Sequence, residues 1–192
     1  MQAQLVAFIV ATSFAAGLNL PATIATLGLL ERAGVVTLPA SLQLLGNWWV
    51  IGASIALLTV EFIVDKIPAV DLVWNALQTF VRVPAGALLG YAATTQLSPE
   101  LQLAASFVGA TVALLAHGGK TAARAAVTAS PEPFSNLALS FAEDVTAIGL
   151  SWLAVRHPYW AAAFALIVLA VIVLFVRLVI GALRSLFRHA RT

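Results

Sequence analysis

A few groups of polar residues stand out in a chain that is otherwise apolar. Glu61 and Asp65 lie four apart, on one face of a helix. Two carboxylates at that spacing repel unless something neutralises them. A proton or a hard cation would do so, and so would a salt bridge to Lys66, Arg82 or a base from the second half. Asp71 follows, in a polar stripe with Asn75, Gln78 and Arg82. Glu143 and Asp144 are adjacent and follow Asn136 within an apolar stretch. An ionisable group near mid-bilayer costs roughly 2.5–3.5 kcal/mol on insertion scales, so two neighbouring acids should not both face lipid. They read either as coupling or substrate groups, or as structural partners of Lys120 or Arg124. Lys120 and Arg124 are again four apart, just after Gly118-Gly119. Such a pair suits a phosphate, a lipid headgroup or a carboxylate, or is ordinary positive charge on the cytoplasmic side.

Other chemistry is poorly supported. There is no cysteine, which removes disulfides, thiolate metal sites and cysteine nucleophiles. The three histidines, His117, His157 and His189, are scattered. His117 reads as an interfacial residue rather than a ligand. No full metal ligand set is legible and no cofactor is expected. Gly-x-Ser-x-Gly, His-Glu-x-x-His and the phosphate-binding glycine-lysine loop are all absent. A non-enzyme is therefore the expectation.

These residues need a setting. The chain has 192 residues, 61% hydrophobic and only 9% charged. A soluble domain is about 25% charged. The composition excludes a soluble enzyme and a nucleic-acid binder, and leaves an integral membrane protein in one domain, residues 1–192. Six spans of roughly membrane length are legible. They are Leu5–Leu30, Gly46–Val64, Pro84–Leu97, Leu101–His117, Phe134–Val155 and Trp160–Leu183. No Lys or Arg precedes the first, so it reads as a membrane helix rather than a cleaved signal. Asn19 and Pro21 interrupt it, either as a break that frees backbone ligands or as a simple kink. The fold expected is an all-α polytopic bundle of about six transmembrane helices with two polar, partly re-entrant loops. Those loops are Asp65–Val83, whose tail Pro68–Arg82 reads as an amphipathic helix either lying at the interface or folded into the bundle, and Gly118–Pro133.

Eight of the ten positive charges then fall on one side, among them Arg177, Arg184, Arg188 and Arg191. Only Arg32 and Arg156 fall opposite. The positive-inside rule places both termini in the cytoplasm. The tail arginines would meet anionic lipid headgroups. Ile51–Leu58 echoes Val108–Leu115 with conservative changes only. This suggests repeat units at 46–97 and 101–155, as in many transporters. The small size and the Gly86-x-x-x-Gly90 pair allow a homodimer, although packing within one chain explains the pair equally well.

The segment Glu61-Phe-Ile-Val-Asp-Lys-Ile-Pro-Ala-Val-Asp71, followed by Arg82-Val-Pro-Ala-Gly-Ala-Leu-Leu89, resembles the signature of a bacterial membrane family catalogued as domain of unknown function 4126. Ala16-Gly-Leu-Asn-Leu-Pro21, Gly118-Gly-Lys-Thr-Ala-Ala-Arg124, Ser130-Pro-Glu-Pro-Phe-Ser-Asn136 and Glu143 are similar to its other elements. Asn75 stands where relatives often carry a carboxylate, and Gln78 where some carry a histidine. The resemblance implies a membrane fold and little chemistry. The functional expectation is a small transporter or permease. Glu61, Asp65, Asp71, Lys120, Arg124, Asn136, Glu143 and Asp144 would line its site for an ion, a small solute or an anionic lipid. The alternative is a non-transporting scaffold, in which the same charges form a structural ion-pair network.

Overall fold

A computed structural model of the chain describes residues 2–65, 67–128 and 133–189. The side chains of 68, 69, 71, 72, 125–128, 133–136 and 179–189 lie outside that description. So do the orientations of Asp71, Asn136 and the tail arginines.

The described residues are helical, with no strand. The helices are α1 (Gln2–Leu18), α2 (Leu20–Arg32), α3 (Trp48–Val64), α4 (Pro68–Ala93), α5 (Pro99–Thr128), α6 (Pro133–Arg156) and α7 (Pro158–His189). A 3-10 turn, Ala40–Gly46, precedes α3. Four of the helices open on proline. Proline is suited to the first position, where its missing N–H has no intrahelical partner to lose. The Asn47 side chain caps α3 by accepting from Trp49 N at 2.8 Å.

The helices alternate in direction between two ends of the bundle. One end carries Gln2, Thr37, Thr94, Arg156 and Pro158 around a shared cavity. Because the chain enters the bundle here through α1, this is its entry end. From there α1 runs inward beside α5, with Gly17 against Ala113 and Ala116. After Asn19 the chain turns back. α2 runs beside α6, placing Ala22 and Leu29 near Ile148 and Trp152, and returns to the entry end. The first apolar stretch is therefore a helical hairpin with its tip inside the bundle, not one crossing. α1 alone, at 17 residues, is about 25 Å long. The hairpin changes the count of passes. Among the described residues, α1 starts at the entry end and α7 leads away from it.

Three helical segments are long and apolar enough to cross a bilayer: Pro99–Arg124, Leu137–Arg156 and Pro158–Leu178. The 3-10 turn with α3 makes a fourth, bent by 66°. A third or less of each of the three windows is buried inside the chain. Their remaining apolar surface, including Phe107, Ile167 and Leu174, faces outward as lipid contact requires. The chain is an all-α membrane protein.

Among the described residues the two polar connections are mostly helical, as expected for the tail of the first and unlike the expectation for the second. Pro68–Arg82 continues into the next span as one helix, with Pro84 inside it. α5 runs straight through Gly118-Gly119 to Thr128. Glycine disfavours a helix by about 1 kcal/mol per residue. Here packing offsets that cost, because Gly119 lies so close to Ile172 that a side chain would overlap it. Residues 129–132, the end of the second expected loop, lie outside the described residues.

The Gly86/Gly90 pair is used inside the chain. Gly86 meets Gly109 and Ala113, and Gly90 meets the Ala105 backbone. Without side chains between them, α4 and α5 approach backbone to backbone. The two glycines of the sequence echo serve differently. Gly109 sits in this contact, whereas Gly52 faces open space.

Candidate functional site

The site is built on the interruption between α1 and α2. Asn19 is extended, at φ −147° and ψ 102°. Its Oδ1 accepts from Ala22 N at 2.8 Å, capping α2. That N–H would otherwise serve the Leu18 carbonyl in a continuous helix. Pro21 has no N–H, so the Gly17 carbonyl four residues earlier also loses its partner. Two residues thus release two adjacent carbonyls in the interior. Arg82 Nη1 donates to Gly17 O at 3.0 Å and to Leu18 O. Lys120 Nζ donates to Leu18 O at 3.0 Å. Positive charge here complements the negative end of the α1 dipole.

Three acids close the arrangement. Arg82 Nη2 pairs with Glu61 Oε1. Lys120 Nζ lies 3.3 Å from the same Glu61 oxygen and 3.0 Å from Glu143 Oε2. Arg124 spans two acids. Its Nε donates to Glu143 Oε1 at 3.2 Å, while its Nη2 lies 2.7 Å from Glu143 Oε2 and 2.7 Å from Asp65 Oδ2. Ser140 Oγ donates to Asp65 Oδ2 at 2.9 Å. All six charged side chains are buried, and Arg82 is 0% exposed. Three positive charges meet three negative ones. Removing that many ions from water is costly, and close multidentate pairing offsets the cost.

His117 belongs to this interior, which corrects its reading as an interfacial residue. It is 2% exposed. Its Nε2 lies 3.0 Å from Asn75 O and 2.9 Å from Thr79 Oγ1, and its Nδ1 is 3.4 Å from Arg82 Nη1. A proton on Nε2 satisfies this set, with Nδ1 accepting from the guanidinium. Asn75, Thr79 and Arg82 of α4 therefore face α5 rather than a water surface.

Of the expected site residues, the structure brings together Glu61, Asp65, Lys120, Arg124 and Glu143. Asp144 stands at the margin and accepts from Asn19 Nδ2 at 2.7 Å. The adjacent acids Glu143 and Asp144 are thus divided between the charge network and the hairpin tip. The α4 and α6 backbones carry Asp71 and Asn136, whose side chains lie outside the described residues. Two members were missing from the expected set, Arg82 and His117. For Arg82 the signal was present, as the base facing Glu61 and Asp65 across the α3–α4 turn. For His117 the signal was its i, i+3 spacing to Lys120 on the α5 face. Among the described residues, no three His, Asp or Glu side chains stand where they could hold a metal ion.

The hairpin tip can be tested directly. Asparagine and aspartate cap helices about equally well. An Asn19→Asp change keeps the cap but sets a carboxylate against Asp144 and removes the Nδ2 donor. The expected loss is about 1–3 kcal/mol, read as an earlier unfolding midpoint in detergent micelles titrated with dodecyl sulfate. An unchanged midpoint would remove Asp144 as a partner of the tip.

A family model for a domain of unknown function, number 4126, matches residues 6–178. The chain belongs to that family. The match runs through the hairpin, all four helices of the charge network and most of α7. No curated protein and no solved structure matches the chain.

Proposed function

We propose that this chain is a small membrane translocator, with the charge network as its closed gate. One observation carries the reading. A helix interrupted inside the bundle frees two backbone carbonyls and gathers six charged side chains from α3, α4, α5 and α6 around them. Interrupted helices and paired charges at depth are how transporters build binding sites and gates. The cavity at the entry end is the vestibule leading toward that gate. Between the two, α1 presents Thr12 and Ser13, both buried, and Ser13 Oγ has no hydrogen-bond partner. Polar groups in that position support a path for water or solute.

A second reading has its own observation. The three acids are matched by three bases, as in a structural lock that sets helix register. A scaffold or partner-binding protein would need nothing more.

The orientation proposed places the entry end outside and the other end in the cytoplasm of a bacterial inner membrane. The buried Arg82, Lys120 and Arg124 drop out of the positive-inside count, because their charge is spent inside the bundle. Lys66, Arg177, Arg184, Arg188 and Arg191 remain against Arg32 and Arg156.

Cysteine accessibility separates the two readings, since the chain has no native cysteine. Thr94→Cys lies in the vestibule and Ser13→Cys on the path beyond it. A charged, membrane-impermeant thiol reagent is applied from each side. Translocation predicts rapid labelling at position 94 from the entry end and slower labelling at position 13. The Ser13 rate should rise about tenfold or more when Glu143→Gln loosens the gate, the equivalent of about 1.4 kcal/mol. Silence at position 13 from both sides, in both backgrounds, would leave the structural lock.

A further inference from the structure

The entry end holds two cavities that share walls. The vestibule has a volume of about 640 Å³, within the range of small-molecule sites. Its polar wall includes Gln2, Gln43, Thr94 and Gln96. Arg156 is the one charged side chain among its described lining residues. A second cavity of about 190 Å³ opens between α1 and α5. Its wall is apolar, with Val6, Ile9, Leu101, Ala104 and Val108. Gln2, Leu5, Thr94 and Leu97 line both. A chamber of mixed polar and apolar wall, with one cationic side chain, is thus joined to an apolar slot.

Position in the bilayer decides the occupant. Trp48, Trp49 and Trp160 lie at this end and are 59%, 87% and 74% exposed. Exposed tryptophans mark the headgroup level. The vestibule therefore sits at headgroup depth. The slot leads inward along α1 from Gln2 to Ile9 and along α5 from Leu101 to Val108, about 10 Å at 1.5 Å per residue. At about 30 Å³ for one water in the liquid, it has room for roughly six groups of that size. Val6 is 56% and Leu101 47% exposed, so the slot opens sideways to the bilayer.

We infer that this compound cavity holds an anionic phospholipid of the entry-side leaflet, with its headgroup against Arg156 and the first carbons of one acyl chain in the α1–α5 slot, the rest of the chain passing out sideways into the bilayer. The inference rests on the translocator reading and names its substrate class. It moves the headgroup contact away from Lys120 and Arg124, whose charges are already taken by Glu61, Asp65 and Glu143.

The test uses the full chain in nanodiscs of equimolar phosphatidylcholine and phosphatidylglycerol, extracted into mild detergent. The retained lipids are counted by native mass spectrometry. The parent should retain phosphatidylglycerol in excess of the bilayer ratio. Arg156→Gln should lower that excess about fivefold, the effect of one basic group at a membrane surface. Ala104→Trp, which fills the slot from its exposed lip, should lower retention of both lipids about tenfold. Arg32→Gln is the control, because Arg32 lies at the same end but stacks on Trp48, 4.6 Å from the ring centre. A parent without excess, or slot and Arg156 variants that retain lipid as the parent does, would overturn the site. So would an equal loss in Arg32→Gln, which would mean general surface attraction. If position 13 labels while lipid retention is indifferent, translocation stands and the lipid falls. If position 13 is silent while retention follows the variants, the reverse holds.

Discussion

Replacing Arg82 by methionine should cost about 3–5 kcal/mol of stability, the range for breaking a buried ion pair from one side. Arg82 is 0% exposed and serves four acceptors, Glu61, Gly17 O, Leu18 O and His117 Nδ1. Methionine fills much of its volume and supplies no donor. Glu61, 1% exposed, then keeps only Lys120 at 3.3 Å. A second change identifies the cause. Glu61→Gln added to Arg82→Met removes the uncompensated carboxylate and should recover part of the loss. Recovery should stay incomplete, because the Gly17 carbonyl still has no donor. The measurement is a double-mutant cycle on the dodecyl sulfate midpoint, followed by circular dichroism. Additive losses in the cycle would mean that the two charges do not interact.

The second large effect concerns geometry rather than charge. Arg124→Lys keeps the positive charge but should still lose about 2 kcal/mol, with Arg124→Met near the 3–5 kcal/mol range for a broken buried pair. The guanidinium meets both Glu143 oxygens through Nε and Nη2, and reaches Asp65 and Ser140 from Nη2. An ammonium is one point on a flexible stem and cannot face α3 and α6 at these angles together. The same unfolding titration reads both variants. Equal stability of Arg124→Lys and the parent would show that charge alone holds α3, α5 and α6 together. Lys120→Arg is the converse case. Lys120 sits between Glu61, Glu143 and Leu18 O, and a wider planar group does not fit between three acceptors about 3 Å away.

The two effects bear on function because the network is the only place where four helices meet through charge among the described residues. A translocator must break some of these pairs to open. The energies above then set the scale that a bound solute or lipid would have to supply.

Much of the site was legible because membrane proteins treat charge severely. In a chain with 9% charged residues, each acid and base inside an apolar stretch must find a partner. Glu61, Asp65, Lys120, Arg124 and Glu143 were recognisable on that ground alone. So was the alternative that they pair with one another. The all-helical membrane fold followed from apolar length, because only helices and closed barrels satisfy the backbone in lipid.

Direction and depth were not legible. Asn19 and Pro21 showed that the first helix is interrupted, and the loss of one backbone bond was expected. Whether the chain then continues or turns back depends on the ψ angle of Asn19 and on what α2 packs against, here α3 and α6. Hydropathy is the same for both paths. The polar stretch around Gly118-Gly119 read as a loop because hydropathy penalises charge and local propensity penalises glycine, whereas Pro68–Arg82 was legible as an amphipathic helix. Tertiary packing overrode both. The Gly86–Gly109 contact and the ion pairs satisfy those segments inside the bundle, so they stay helical. His117 was misplaced for the same reason, since its partners Asn75 and Thr79 lie 42 and 38 residues away. The sequence by itself determined that this chain lives in a membrane and which side chains could not face lipid, because burial of charge is a local cost. Only the tertiary structure decided which charges meet and where the first hairpin turns, because those depend on distant helices arriving at the same depth.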